Sequence, residues 1–216
     1  MLFSRPLVSS DMRDWIETFF DWSEALFTAP QSPIVPTREF FSATKGRKDE
    51  TANMVLRDVL RLSYIDAEIK LMPLDVLPDE LRLDYQATSS VAGTFQETEN
   101  GALICYDPEL MKRPLQFINV IVHEVMHLRL AGYQQDLPGG PEVEELATDL
   151  SGIIAGFGAI QLQAADDAGW TGYLRQTTRA HALAVFLDRR SLNPGAVSAH
   201  LSTRCNKLLK KAFKQL

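Results

Sequence analysis

A chain of 216 residues, 45% hydrophobic and 23% charged, is long enough for a well-packed core and too apolar for a disordered segment. Its formal net charge of -6 offers no overall basic face, so neither nucleic acid nor an anionic membrane is an expected partner. Cys105 and Cys205 lie far apart without a C-x-x-C partner, which fits neither a disulfide framework nor a thiolate zinc site and points to a reduced compartment.

In chain order, the N-terminal "MLFSRPLVSSDMRDW" lacks the apolar core of a signal peptide, so a cytoplasmic protein is expected. Residues 10–28, "SDMRDWIETFFDWSEALFT", predict an amphipathic helix with Ser10 or Asp11 as its cap. A Pro-rich connector, "APQSPIVPTREF", follows. Residues 48–64 predict a second helix, with Val55, Leu56, Val59, Leu60 and Leu62 at helical spacing. "AEIKLMPL" alternates like a strand, and "SSVAGTFQETENGALICYD" reads as a hairpin turning at Asn100-Gly101.

From Pro114 the pattern is helical to the C-terminus, interrupted by Gly and Pro near 137–141 and 193–195. The run "LSGIIAGFGAIQLQAA" from Leu150 is too short, and too polar at its end, to span a bilayer. These elements predict an α+β chain with a single domain over 1–216. Its parts are a helical portion over 1–65, a small antiparallel sheet with the central helices over 66–163, and a helical portion over 164–216.

The chemistry concentrates in "VIVHEVMHLRL", residues 120–130. His123 and His127 stand one helical turn apart on one face, a spacing at which both imidazoles reach one metal ion. Glu124 is offset by about 100°, beside such an ion, where a general base acting on water belongs. Ile118, Ile121, Val122, Val125, Met126 and Leu128 make the helix apolar nearly all round. Leaving these polar groups without partners in a core costs about 1–3 kcal/mol each, and more for a charge. A metal satisfies both imidazoles; the alternative for the bare pattern is a core helix whose histidines bond backbone or carboxylate groups.

A catalytic zinc ion usually has three protein ligands and an open position. After Gly139-Gly140, Pro141 suits the first position of a new helix, with Glu142, Glu144 and Glu145 in its first turn. Glu142 and Glu144 read as acids favoured there by the helix dipole. Glu145, Asp149, Gly152 and Gly156 fall on one helix face. That stripe predicts Glu145 as third ligand and Asp149 as acceptor of a bond from a ligand histidine. The two glycines would then allow close packing on the histidine helix.

His123-Glu124-Val125-Met126-His127 followed by Glu145-x-x-x-Asp149 resembles the gluzincin zinc metallopeptidases, with 17 residues between His127 and Glu145. The longer pattern H-E-x-x-H-x-x-G-x-x-H is not met, because Leu130 and Tyr133 occupy its glycine and last histidine positions. Arg129 stands where a hydrophobic residue is usual. The resemblance covers about residues 100–160 and implies a zincin-like fold in which a small sheet precedes the active-site helix. Its edge strand would bind substrate in extended form, with the hairpin ending "ALICYD" as the candidate.

The expected function is therefore a zinc-dependent metallopeptidase acting on a peptide or protein. It holds one Zn2+ through His123, His127 and Glu145, with Glu124 as general base and Asp149 behind the ligands. His181, Tyr133 and Tyr173 are candidates to stabilise the oxyanion, although each residue type is also common in cores. The basic C-terminal helix with Lys207, Lys210, Lys211 and Lys214 reads as a solvated face. The alternatives are a zinc-binding regulatory or interaction protein with little turnover, and a helical scaffold without metal.

Overall fold

The computed structural model describes residues 5–43, 46–74, 93–98, 101–169 and 172–216. The chain divides into two compact units, one formed by Met1–Val35 with Gly132–Leu216 and the other by Pro36–Ala131. These limits differ from the portions 1–65, 66–163 and 164–216 expected from sequence.

The unit of residues 36–131 holds the sheet. Helix α2, Asp49–Leu62, lies close to the predicted 48–64 and buries Ala52, Val55, Leu56 and Val59. Asp58, 5% exposed, holds the preceding segment: its Oδ2 accepts from Ser42 N at 2.7 Å and Ser42 Oγ at 2.9 Å. Strands β1 (Ile69–Pro73), β2 (Gly93–Thr98) and β3 (Gly101–Tyr106) form a sheet in the order β1-β3-β2.

The predicted hairpin is present as the antiparallel β2–β3 pair, in which Thr98 faces Gly101. Gly101 thus belongs to the strand, and Asn100, the other predicted turn residue, lies outside the described residues. The wholly antiparallel sheet is corrected: β1 pairs parallel to β3, with Ile69 opposite Ala102 and Pro73 opposite Tyr106. Strand alternation in "AEIKLMPL" carries no information about direction, which is set by the tertiary path. β3 is central, so within the hairpin named as the substrate-binding candidate only β2 is an edge; the edges among the described residues are β1 and β2. Tyr106 Oη donates to Asp49 Oδ1 at 3.0 Å, tying β3 to the start of α2. Helix α3, Pro114–Leu130, follows.

The other unit is helical. Helix α1 spans Ser10–Leu26, and its cap is Ser9, one residue ahead of the predicted candidates: Ser9 Oγ accepts the Met12 N–H at 3.3 Å. Helices α4 (Glu144–Gly152), α5 (Gly158–Asp167), α6 (Gln176–Arg189) and α7 (Thr203–Phe213) complete it. Arg189 ties α6 to α1 through Glu17, Asp21 and Glu24. In α7 the buried residues are Cys205, Leu209 and Ala212, while Lys207, Lys210 and Lys214 are exposed and Lys211 is half-buried, so the basic side is largely solvated. Both cysteines are buried thiols without a disulfide. No helix among the described residues is long and apolar enough to cross a membrane.

Between α4 and α5, Ile153–Phe157 form a wide π-type turn in which Gly156 has φ +96°. The predicted face of Glu145, Asp149, Gly152 and Gly156 on one helix is therefore broken before its last member. Gly156 serves the Pro-rich connector instead. Its carbonyl accepts the Ile34 N–H at 2.9 Å, and a Cβ there would stand 2.8 Å from Pro30 Cγ and 3.2 Å from Ile34 Cδ1. Both the left-handed backbone and the contact demand glycine. Gly156→Ala is expected to lower stability by more than about 1 kcal/mol in a denaturant titration; an unchanged midpoint would contradict this reading.

Candidate metal centre

The histidine helix is apolar because it is a core element. Phe117, Ile118, Ile121, Val122, Val125, Met126 and Leu130 are all buried, and Pro114 occupies the first turn, where its missing N–H costs nothing. Helical geometry carries His123 and His127 to the same side, both half-buried. Their rings lie 4.9 Å apart between centroids at 84°, and the two Nε2 atoms approach to 3.2 Å.

That separation restricts the protonation states. Two imidazolium rings would point N–H groups at each other, so at least one ring is neutral. Either a neutral ring accepts from the other, or both lone pairs face a cation. Zinc binds imidazole nitrogen at about 2.0–2.1 Å, so two ligands at a tetrahedral angle lie roughly 3.3 Å apart. The observed 3.2 Å fits that spacing.

Glu145 stands in the first turn of α4. The chain reaches it through Gly139 (φ +99°) and Gly140 (φ +85°), then a 3-10 turn over Pro141–Val143, so Pro141 opens that turn rather than α4 itself. The approach is pinned from α1, where Trp15 Nε1 donates to Pro138 O at 2.6 Å. His123, His127 and Glu145 each present one ligand atom, all within 4.8 Å of one another, and such a group could hold a metal ion. This is looser than the roughly 3.3 Å spacing of a closed tetrahedral set. Two neutral nitrogens and a carboxylate form a donor set that suits zinc among several divalent ions.

Glu124 is 3% exposed on the neighbouring face of α3. Arg129, the departure from the usual pattern, is 7% exposed, and its Nη1 reaches Ser63 O at 3.4 Å. Burial pushes its pKa down to about 10, which leaves it cationic near neutral pH.

Asp149, one turn beyond Glu145, is 2% exposed. Its Oδ2 accepts from Arg179 Nη2 at 2.8 Å, from Leu174 N at 3.0 Å and from Tyr173 N at 3.1 Å. Arg179 is itself 1% exposed and was not anticipated from sequence. The available signal was an arginine ahead of the apolar run in "TTRAHALAVFL", on a helix that buries its neighbours Ala180, Ala182 and Leu183. Gly172 makes room for it: a Cβ at that residue, whose φ is +97°, would stand 2.1 Å from Arg179 Nη2.

The three oxyanion candidates have separate surroundings. Tyr133 packs edge-on against Phe27 and Trp22, at centroid distances of 5.4 and 6.1 Å. Tyr173 is 47% exposed and contributes its backbone N–H to Asp149. His181 is 1% exposed, with both ring nitrogens lacking hydrogen-bond partners. Desolvation, followed by Arg13, lowers its pKa against the opposing effect of Glu17. It is therefore a neutral buried ring beside α1.

The Arg179–Asp149 pair leaves both side chains almost inaccessible, 1% and 3% exposed. Removing one partner strands a buried charge, which costs on the order of 3–5 kcal/mol. Arg179→Leu is accordingly expected to destabilise the protein by that order in chemical denaturation. A loss below about 1 kcal/mol would show that the pair does not hold α4.

No family model, curated protein or solved structure matches the chain.

Proposed function

We propose that this chain is a zinc-dependent metallopeptidase, with one zinc ion held by His123, His127 and Glu145 and with Glu124 as general base. The observation that carries the reading is the 3.2 Å approach of two imidazole nitrogens with a carboxylate ligand atom in the same 4.8 Å group. A zinc ion there supplies Lewis acidity toward a carbonyl and lowers the pKa of water.

Glu124 is the chain's own contribution to proton transfer. It is buried, adjacent in sequence to one ligand, and about 100° round the helix from it. In that position it takes the proton of the attacking water and returns it to the leaving amine. A purely structural metal would have no use for this carboxylate and would favour four closed protein ligands.

Asp149 supports the ligands from behind. With Oδ2 engaged by three donors, Asp149 fixes α4 one turn beyond Glu145 and so holds that ligand's helix in place. A sheet ahead of α3 and Glu145-x-x-x-Asp149 on α4 are the features shared with the gluzincin pattern, on a mostly helical chain whose small mixed sheet does not by itself make a zincin fold. A peptide substrate would add in extended form at β1 or β2, since β3 is flanked on both sides. The two buried thiols favour a cytoplasmic setting.

The test uses an unstructured protein such as casein. Glu124→Gln is expected to reduce cleavage by about 10²–10⁴-fold while the protein keeps one zinc per chain. Full activity in that variant would overturn the base assignment. Zinc retained by a wild type that never cleaves would overturn the peptidase reading in favour of a metal-binding regulatory protein. Glu145→Ala should weaken zinc binding in competition with a chelator, and unchanged affinity would remove Glu145 from the ligand set.

A further inference from the structure

The unit of residues 36–131 contains a cavity of about 820 Å³ between the segment ahead of α2, α2 itself and the start of α3. Its floor is apolar: Phe41, Val55, Met111 and Phe117 are each at most 6% exposed. Three exposed cations, Arg38, Arg47 and Lys112, also line it, and no acidic residue does among the described residues. In a chain of net charge -6 this local excess of positive charge is unusual. Lys112 pairs with Glu109, whereas Arg38 and Arg47 make no ion pair among the described residues.

Two further polar features favour an anion. Thr37, another lining residue, has a buried hydroxyl with no hydrogen-bond partner among the described residues. The first turn of α3 contributes Pro114 and Leu115 to the lining, and it has neither a side-chain cap nor an acid. Its N–H groups and dipole therefore add to the positive potential. The cavity is separate from the metal ligands, since Phe117 and Ile118 leave α3 about 120–140° round from His123.

We infer that this cavity binds a single-chain amphiphile with an anionic head, of the long-chain carboxylate class. The apolar chain lies on the Phe41, Val55, Met111 and Phe117 floor, and the carboxylate meets Arg38, Arg47 and the start of α3. The volume falls within the roughly 300–1,000 Å³ of small-ligand sites. A charged head supplies what an uncharged apolar partner could not, a counter-ion for two exposed guanidiniums beside a hydrophobic floor. The inference is independent of the metal reading.

The probe is dodecanoate, titrated calorimetrically below its micellar concentration into the full chain. The expected result is saturable one-to-one binding, weakened at least about 10-fold when the probe is butyrate or dodecyltrimethylammonium. Arg38→Glu with Arg47→Glu should weaken it by a similar factor with an unchanged circular dichroism spectrum. If that double variant does not fold, raising salt from about 50 to 500 mM with the wild-type chain should weaken binding instead. His127→Ala should bind as wild type does. Absence of saturable binding, equal affinity for the cationic amphiphile, or indifference to both charge reversal and salt would overturn the proposal.

Discussion

Two imidazole nitrogens 3.2 Å apart on a largely buried helix impose the condition to which the rest of the site responds. At that distance the two rings either share one N–H···N hydrogen bond or both turn a lone pair toward a cation. The i,i+4 spacing fixes the rings on one side, and the buried aliphatic residues around them hold the helix in place. A cation facing both lone pairs resolves the conflict, and a carboxylate ligand atom in the same 4.8 Å group would balance its charge. A single neutral-to-neutral hydrogen bond between the rings would resolve it as well.

The carboxylate is held by an apparatus that the ligands themselves do not reveal. Glu145 begins α4, and one turn later Asp149 anchors that helix to Arg179 and to the N–H groups of Tyr173 and Leu174. Ahead of α4, Trp15 fixes Pro138. Beyond it, Gly156 turns the chain so that its carbonyl meets Ile34. Buried ion pairs are poor sources of net stability, yet costly to break once formed, so Asp149 and Arg179 resist displacement of α4 more than they stabilise the fold.

Much of this was legible in the sequence where the physics is local. The periodicity of residues 10–28 and 48–64 gives α1 and α2 to within a few residues, and "VAGTFQ" and "ALICY" give a hairpin because side-chain alternation and turn residues are short-range signals. The two histidines one turn apart needed nothing beyond helical geometry. What failed depended on distant partners. The parallel pairing of β1 with β3 follows from the path of the chain. The loss of helix at Gly156 follows from Pro30 and Ile34, more than a hundred residues earlier. Arg179 finds Asp149 thirty residues away, which no periodicity encodes. The cap moved from Ser10 to Ser9 because adjacent serines offer the same chemistry and only the backbone at the helix start separates them.

A metal at His123, His127 and Glu145 is tested most directly by the elemental content of the purified chain. Zinc is expected at one equivalent per chain in the wild type, falling to background in His127→Ala at unchanged helical content. A wild-type chain that holds no metal after equilibration with zinc would contradict it, and would leave the histidines as a hydrogen-bonded pair in a core helix.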